Sequence, residues 1–343
     1  MTSTMLLVGD IGGTKTDVAV FSPEGGVWEP VAQKRFTSAD YPSLEAIASE
    51  FVAEFRLPLG HACFAVAGPV VNGRAVLTNL PWLVEESVLQ SRLELESVEL
   101  LNDVEAMAAA IPHLRASDVV TLQPGTPEPE GAIALIAVGT GLGEAFLTWD
   151  GARYRAHASE GGHSDFGPTS AEETELLRFS QTRWRRVSYE RVCAGLSIPH
   201  LYEFLKTQGQ FAESSDLAAE LDAAHDRTPV VVAAALDAEH ADPLSKATIE
   251  LFAGLMGSQA GNLALTVLAT GGVYIAGGMA QRTLPGHPQH QERFLSTFHD
   301  KGRLTPLLAK VPIHLIPEPV ALAGAAVTAM ENMRQSTEQK GTE

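Results

Sequence analysis

The sequence predicts an α/β protein of two lobes, and three observations carry that expectation. Apolar strand-like runs alternate with helical patterns along the chain. The 343 residues are too many for one ordinary core. An apolar strand, a turn rich in glycine and threonine and a second apolar strand open the chain, and the same outline returns at 132–149. Two related halves, each presenting a turn to a common cleft, would produce that repeat.

Leu6–Val8, the turn Gly9-Asp10-Ile11-Gly12-Gly13-Thr14 and Asp17–Phe21 read as strand, turn, strand. Leu44–Phe55 has helical spacing at Leu44, Ile47, Ala48, Phe51, Val52 and Phe55. Ala62–Ala67 is a buried-type strand closed by Gly68-Pro69, and Val76–Asn79 reads as another. Glu85–Leu93 is helical. Val98–Leu101 is a strand ending at Asn102-Asp103, and an alanine-rich helix, Val104–Ile111, follows. The segment 123–131 has the strongest linker composition. Beyond it, Ala132–Val138 runs into Gly139-Thr140-Gly141-Leu142-Gly143 and then Ala145–Trp149. Residues 172–269 are largely helical in pattern, Val273–Ala276 is a strand leading into Gly277-Gly278, and Val320–Met330 is an amphipathic helix. The expected boundaries are a small lobe at 1–112 plus 318–333, a large lobe at 113–317 and a frayed polar tail at 334–343.

Charge and cysteine content exclude several classes. Acidic residues outnumber basic ones 42 to 24, so the basic stripe that duplex nucleic acid requires is missing. The one dense basic cluster, Arg183-Trp184-Arg185-Arg186, reads as a solvated helix end. Apolar runs such as Ala132–Val138 and Val230–Leu236 fall far short of the ~20 residues that cross a membrane. The N-terminus has no positive segment or cleavage site and reads as a first strand, so a cytoplasmic location is expected. Cys63 and Cys193 form no C-x-x-C pair, which excludes a cysteine zinc site and reads as two small buried residues.

Three glycine turns follow apolar strands, at Asp10–Thr14, Gly139–Gly143 and Gly277-Gly278. Singly, each is read as a tight turn. Three in order point to phosphate, because glycine lets the backbone approach it and threonine adds donors. The spacing matches neither G-x-G-x-x-G nor G-x-x-x-x-G-K-[ST], so a dehydrogenase and a P-loop enzyme are disfavoured. Asp10 beside such a turn needs a cation between it and phosphate, or else it caps its own turn. Asn102-Asp103 reads by itself as a helix cap. In a phosphotransferase, a carboxylate there would take the proton of a hydroxyl nucleophile. Glu160-Gly161-Gly162-His163 has too few clustered ligands for zinc and suits sugar hydroxyls. Glu190 alone reads as a surface glutamate.

The Asp10–Thr14 turn resembles the first phosphate motif of the actin and hexokinase superfamily. Within it, Leu77-Thr78-Asn79, Leu101-Asn102-Asp103, Gly139–Gly143, Glu160–His163 and Ser188-Tyr189-Glu190-Arg191-Val192, in that order, are similar to the zinc-free bacterial glucokinases. The likeness spans residues 5–200 and returns at Gly277-Gly278 and Val320–Ala326. It implies a ribonuclease-H-like, actin-like ATPase fold, each lobe a mixed sheet flanked by helices, with an interlobe cleft. It implies transfer of phosphate from ATP, with Mg2+, to the 6-hydroxyl of glucose. Asp103 would be the base; Asn79, Asn102, Glu160, His163 and Glu190 would hold the sugar. Gly9, Asp10, Gly12, Gly13, Thr14, Lys15, Gly139, Thr140, Gly141, Gly277 and Gly278 would hold the nucleotide, and Asp10 the magnesium, directly or through water. A homodimer is the expected assembly.

Two residues depart from the family pattern. Lys15 stands where asparagine is common, and Glu144 where residues are small or apolar. A Glu144 carboxylate facing phosphate would repel it, which lowers the expected nucleotide affinity unless the side chain turns away. The rival readings are a kinase for mannose, fructose or an amino sugar, a non-catalytic sugar sensor, and an actin- or chaperone-like ATPase. The chain opens on a strand rather than a DNA-binding motif, which weighs against the sensor. The sugar-type residues would have no purpose in the ATPase.

Overall fold

The structure, a computed structural model, describes residues 4–77 and 80–341. The chain forms two compact units. The smaller comprises residues up to 115, 150–158 and from 318 on; the larger comprises 116–149 and 159–317. The segment 150–158, placed in the large lobe by the sequence reading, thus clusters with the smaller unit.

In the smaller unit, β1 (Met5–Ile11), β2 (Lys15–Phe21), β3 (Ala32–Thr37), β4 (Leu59–Val66) and, after three short strands β5 (Val70–Val71), β6 (Arg74–Val76) and β7 (Leu83–Glu85), β8 (Ser97–Asn102) supply the secondary structure. The main sheet runs β3-β2-β1-β4-β8. β1, β2 and β3 are antiparallel neighbours, while β4 and β8 run parallel to β1. Alternation explains why these strands read as continuous apolar runs. Leu7, Ile11, Val18 and Val20 face one core with helix α1 (Leu44–Phe55). Leu6, Val8, Ala19 and Phe21 face another, lined by helices α3 (Asp103–Ala110) and α12 (Ala321–Gly341). Ser43 caps α1 by accepting from the Ala46 amide, and the buried Leu44, Ile47, Ala48 and Phe51 repeat at helical spacing as the sequence predicts. Between β7 and β8 lies α2 (Glu86–Leu93).

The larger unit contains β9 (Val120–Gln123), β10 (Ile133–Val138) and β11 (Leu142–Trp149). After β12 (Tyr154–Ser159) come β13 (Gly272–Ala276) and β14 (Ile313–Leu315). Its strands pair in the order β11-β10-β13-β14-β9. An antiparallel hairpin, β10–β11, is followed by β13 and β14 parallel to β10, as β4 and β8 follow the β1–β2 hairpin. The repeat seen loosely in the sequence is therefore a repeat of topology. The predicted helical middle forms α4 (Ala171–Gln181), α5 (Ile198–Gln208), α6 (Ser215–Ala223), α7 (Thr228–Leu236) and α8 (Pro243–Thr266). The short α9 (Gly278–Thr283), α10 (Pro288–His299) and α11 (Thr305–Leu308) complete it. Asp242 caps α8 with Pro243 at its first position, and most of that helix is buried, which accounts for its weak amphipathic signal. Both cysteines are buried, Cys63 in the smaller unit and Cys193 in the larger.

Candidate active site

The smaller unit gathers acids at the carboxyl ends of parallel strands. Asp10 closes on the end of β1 and Asn102 ends β8, with β4 between them; Asp10 lies opposite Ala65, and Val66 opposite Asn102. Asn102 caps α3, its Oδ1 accepting from the amides of Val104 at 2.9 Å and Glu105 at 3.3 Å. Its Nδ2 donates to the carbonyl of Gly68 at 3.1 Å. The plain cap reading of Asn102 is thus realised. Asp103 is the first residue of α3 and accepts from the Val104 amide at 3.0 Å, in the positive end of the helix field.

Asp10 and Asp103 feel each other. The Asp10 carboxyl is raised from its usual 3.8 to about 6, first by lost hydration and then by the charges of Asp103 and Asp17, against the opposing pull of Lys15 and Arg35. Asp17 and Arg35 are functional neighbours that sequence reasoning missed. Asp17 pairs directly with Asp10 across the β1–β2 ladder, and Arg35 grips it with bonds of 2.8 and 3.0 Å from β3. The signal was available in the hairpin register. Gly9 lies inside β1 between Val18 and Phe64, and the turn proper is Gly12–Thr14. That turn is braced by Ser38, whose hydroxyl donates to the Gly12 carbonyl at 2.8 Å. Lys15 opens β2 and is exposed.

The larger unit brings the other two glycine turns to one sheet edge. Gly139–Gly141 follows β10 and Gly277-Gly278 follows its parallel neighbour β13. Gly277 has φ 94°, and a Cβ there would lie 2.4–2.7 Å from the Val138 backbone, so only glycine fits. The first turn is tied back by its carbonyls: Gly195 donates to Gly139 at 2.8 Å, and Leu196 to Thr140 at 3.2 Å.

Glu160, His163 and Glu190 come together in this unit. Their segments are stitched by backbone bonds from Phe166 to Val187 at 2.9 Å and from Tyr189 to Ser164 at 3.0 Å. His163 Nε2 stands 3.9 Å from the Glu160 carboxylate, and His163 Nδ1 3.9 Å from that of Glu190. Glu190 sits on the 3₁₀ turn Tyr189–Arg191 and accepts from the Leu142 amide at 3.2 Å, so it borders the Thr140–Gly141 turn. Glu160 and His163 are well exposed.

Two readings change. Arg186 is no simple solvated helix end: it donates to Asp165 at 2.6 Å and to the His163 carbonyl at 2.7 Å. Glu144 does not face phosphate. It is 2% exposed, accepts from Gln259 at 2.6 Å, and burial raises its pKa. Asn79, the remaining candidate sugar ligand, lies outside the described residues. Among the described residues no group of three or more His, Cys, Asp or Glu side chains is placed to hold a metal, and no helix is long and apolar enough to cross a membrane.

The chain resembles known proteins along nearly its whole length. The model of a family described as Glucokinase matches residues 7–332. A glucokinase of Nostoc punctiforme is 40% identical over 339 residues, covering 95% of this chain and 99% of its own length. The crystal structure of a glucokinase from an Antarctic psychrotroph superposes with a TM-score of 0.78 at 30% identity, over 95% of this chain and 99% of that one. A Balamuthia mandrillaris glucokinase, solved in complex with glucose, has a TM-score of 0.77 at 22% identity, over 95% and 93% of the two chains, and shares the fold.

Proposed function

This chain belongs to the glucokinase family, and on that premise we propose that it transfers the γ-phosphoryl group of ATP to the 6-hydroxyl of D-glucose. The products are glucose 6-phosphate and ADP, and Asp103 is the general base. The observation that carries the proposal is the like-charge repulsion between Asp103, which opens α3, and Asp10, at the end of β1. Asp103 sits at a helix N-terminus, where the helix field favours a negative charge and the carboxyl can take a proton. Asp10 is buried beside two further acids and calls for a cation.

Magnesium fits that second role. It takes one or two protein carboxylates and completes its shell with water and phosphate oxygens, so a site without three clustered ligands is the kind it uses. Asp10 would hold it, directly or through water, and it would neutralise charge on the transferring phosphoryl group. Gly12–Thr14, Gly139–Gly141 and Gly277-Gly278 would cradle the nucleotide through backbone amides, which a chain of net charge −18 needs in place of cationic side chains.

On the sugar, Glu160, His163 and Glu190 would hold hydroxyls, and the one Nδ2 hydrogen of Asn102 left over from Gly68 would hold another. Asp103 would align the 6-hydroxyl and take its proton as the oxygen bonds to phosphorus. Positioning supplies most of the acceleration, and the base about 10²–10⁴-fold.

A coupled assay for glucose 6-phosphate over a panel of hexoses and phosphoryl donors tests the reaction. Glucose with ATP should give the highest kcat/KM; a higher value with mannose, fructose or an amino sugar would replace the substrate. Asp103→Ala should lower kcat by about 10²-fold or more while glucose still binds. Normal turnover at saturating sugar would remove Asp103 from its role.

A further inference from the structure

The feature the proposed chemistry leaves unused is Glu144. Nearly all of its surface is buried, and its partner is the neutral amide of Gln259 rather than a cation. Burial raises its pKa, with only that hydrogen bond opposing. Such a group is costly to keep in a core, so its contacts need a reason.

Those contacts lead to the segments that carry Glu160, His163 and Glu190. A Cβ built on Gly161 would lie 1.9 Å from Glu144 Oε2. Gly161 lies outside the positive-φ region, so its backbone does not demand glycine, and the space taken by the Glu144 carboxyl does. Moving the carboxyl aside would disturb its bond to Gln259. From Gln259 the chain of bonds goes on: Asn262 donates to Gln259 Oε1 at 3.2 Å and to the Tyr189 hydroxyl at 2.9 Å. Tyr189 immediately precedes Glu190. Gln259 and Asn262 stand one turn apart on the buried helix α8, a rigid support. Behind the loop lies a cavity of about 540 Å³ bordered by Glu144, Gly161, Tyr189, Gln259 and Asn262, into which a loosened loop could sag.

We infer that Glu144 is a positioning residue for sugar binding: its carboxyl, fitted against Gly161 and joined through Gln259 and Asn262 to Tyr189, fixes the Glu160–His163 loop and the Glu190 turn in register with each other. It touches no substrate. The inference rests on the proposed sugar site and adds the device that holds that site in shape.

A double-mutant cycle tests it, with glucose and ATP varied separately for wild type, Gly161→Ala, Glu144→Ala and the double variant. Gly161→Ala should raise the KM for glucose about tenfold and move that for ATP less than about twofold. In the Glu144→Ala background, where the methyl has room, adding Gly161→Ala should cost under about threefold. Glu144→Gln keeps the shape and should stay within about threefold of wild type, which guards against a variant that merely misfolds. An equal penalty of Gly161→Ala in both backgrounds, or none in either, overturns the inference. Glu160→Gln, measured by direct glucose titration, separates the two levels. If it leaves glucose affinity intact, the sugar site itself is misassigned. If it weakens binding while the cycle shows no coupling, only the role of Glu144 fails.

Discussion

The β1–β2 and β10–β11 hairpins are each continued by two parallel strands, yet they carry opposite chemistry. In the first, the pair next to the turn is Ile11–Thr16 and the pair behind it is Asp10–Asp17. In the second, the corresponding pairs are Val138–Leu142 and Ala137–Gly143, with no charge at all. One hairpin concentrates carboxylates and so repels phosphate unless a cation intervenes. In the proposed reaction its counterpart would offer backbone amides to phosphate directly. A single architecture would thus serve two tasks through a change of two residue pairs and one residue of turn length.

The larger unit's reliance on backbone makes it the more fragile to a single methyl. Gly277→Ala would place a Cβ within 2.7 Å of Val138 main-chain atoms at a φ of 94°. The expected cost is roughly 3 kcal/mol or more, a fall of about 10 °C in the melting of that unit. The KM for ATP should rise by an order of magnitude or more while glucose titration changes little. Equal loss of both ligands would show that the two glycine turns and the sugar residues do not act separately.

Protonation should divide the units in opposite directions. Asp10 has a folded pKa of about 6 against 3.8, so its contribution is full below pH 4 and is lost as pH rises through 6, a change of about 3 kcal/mol. His200, buried and bonded to Ser180 at 2.8 Å, is lowered from 6.5 to about 4, chiefly by burial. Its contribution is full above pH 6.5 and is lost as pH falls towards 4, again by about 3 kcal/mol. Without magnesium or nucleotide, Asp10→Asn should raise stability by about 2 kcal/mol at pH 7.5 and not at pH 4, while abolishing turnover. His200→Gln should flatten the acid limb alone. Unit-resolved hydrogen exchange against pH reads both, and slopes of the same sign would contradict the contrast.

Much of this was legible in the sequence because local chemistry and global role coincide there. The Asn102 cap and the helix at Leu44–Phe55 obey short-range rules and fold as read, while the turn read at Gly9–Thr14 shortens to Gly12–Thr14 because β1 runs on to Ile11. What escaped depends on register and tertiary direction. Asp17 and Arg35 become partners of Asp10 only once the hairpin length is known. Arg186 reads as a helix end until Asp165 and the His163 carbonyl are found beside it. Glu144 was misleading because the identity of a strand residue does not reveal which face of the strand it occupies until the pairing is set.

The smallest expected effect falls on Asn102, where the contrast between scaffold and site is sharpest. Its Oδ1 is spent on two amides of α3 and one Nδ2 hydrogen on Gly68, so only a single hydrogen remains for a sugar hydroxyl. Asn102→Ala removes cap and contact together, at about 1 kcal/mol of stability. Asn102→Asp separates them, because aspartate caps as well as asparagine but offers no donor and adds a charge near Asp10 and Asp103. Asn102→Asp also breaks the bond to Gly68, so it should lower the melting temperature by a few degrees at most, and if the residue serves the site it should in addition raise the KM for glucose several-fold. If it serves the scaffold only, Asn102→Asp should leave the KM for glucose unchanged, and the recognition of glucose would then fall to the larger unit, with the smaller contributing the base and the cation.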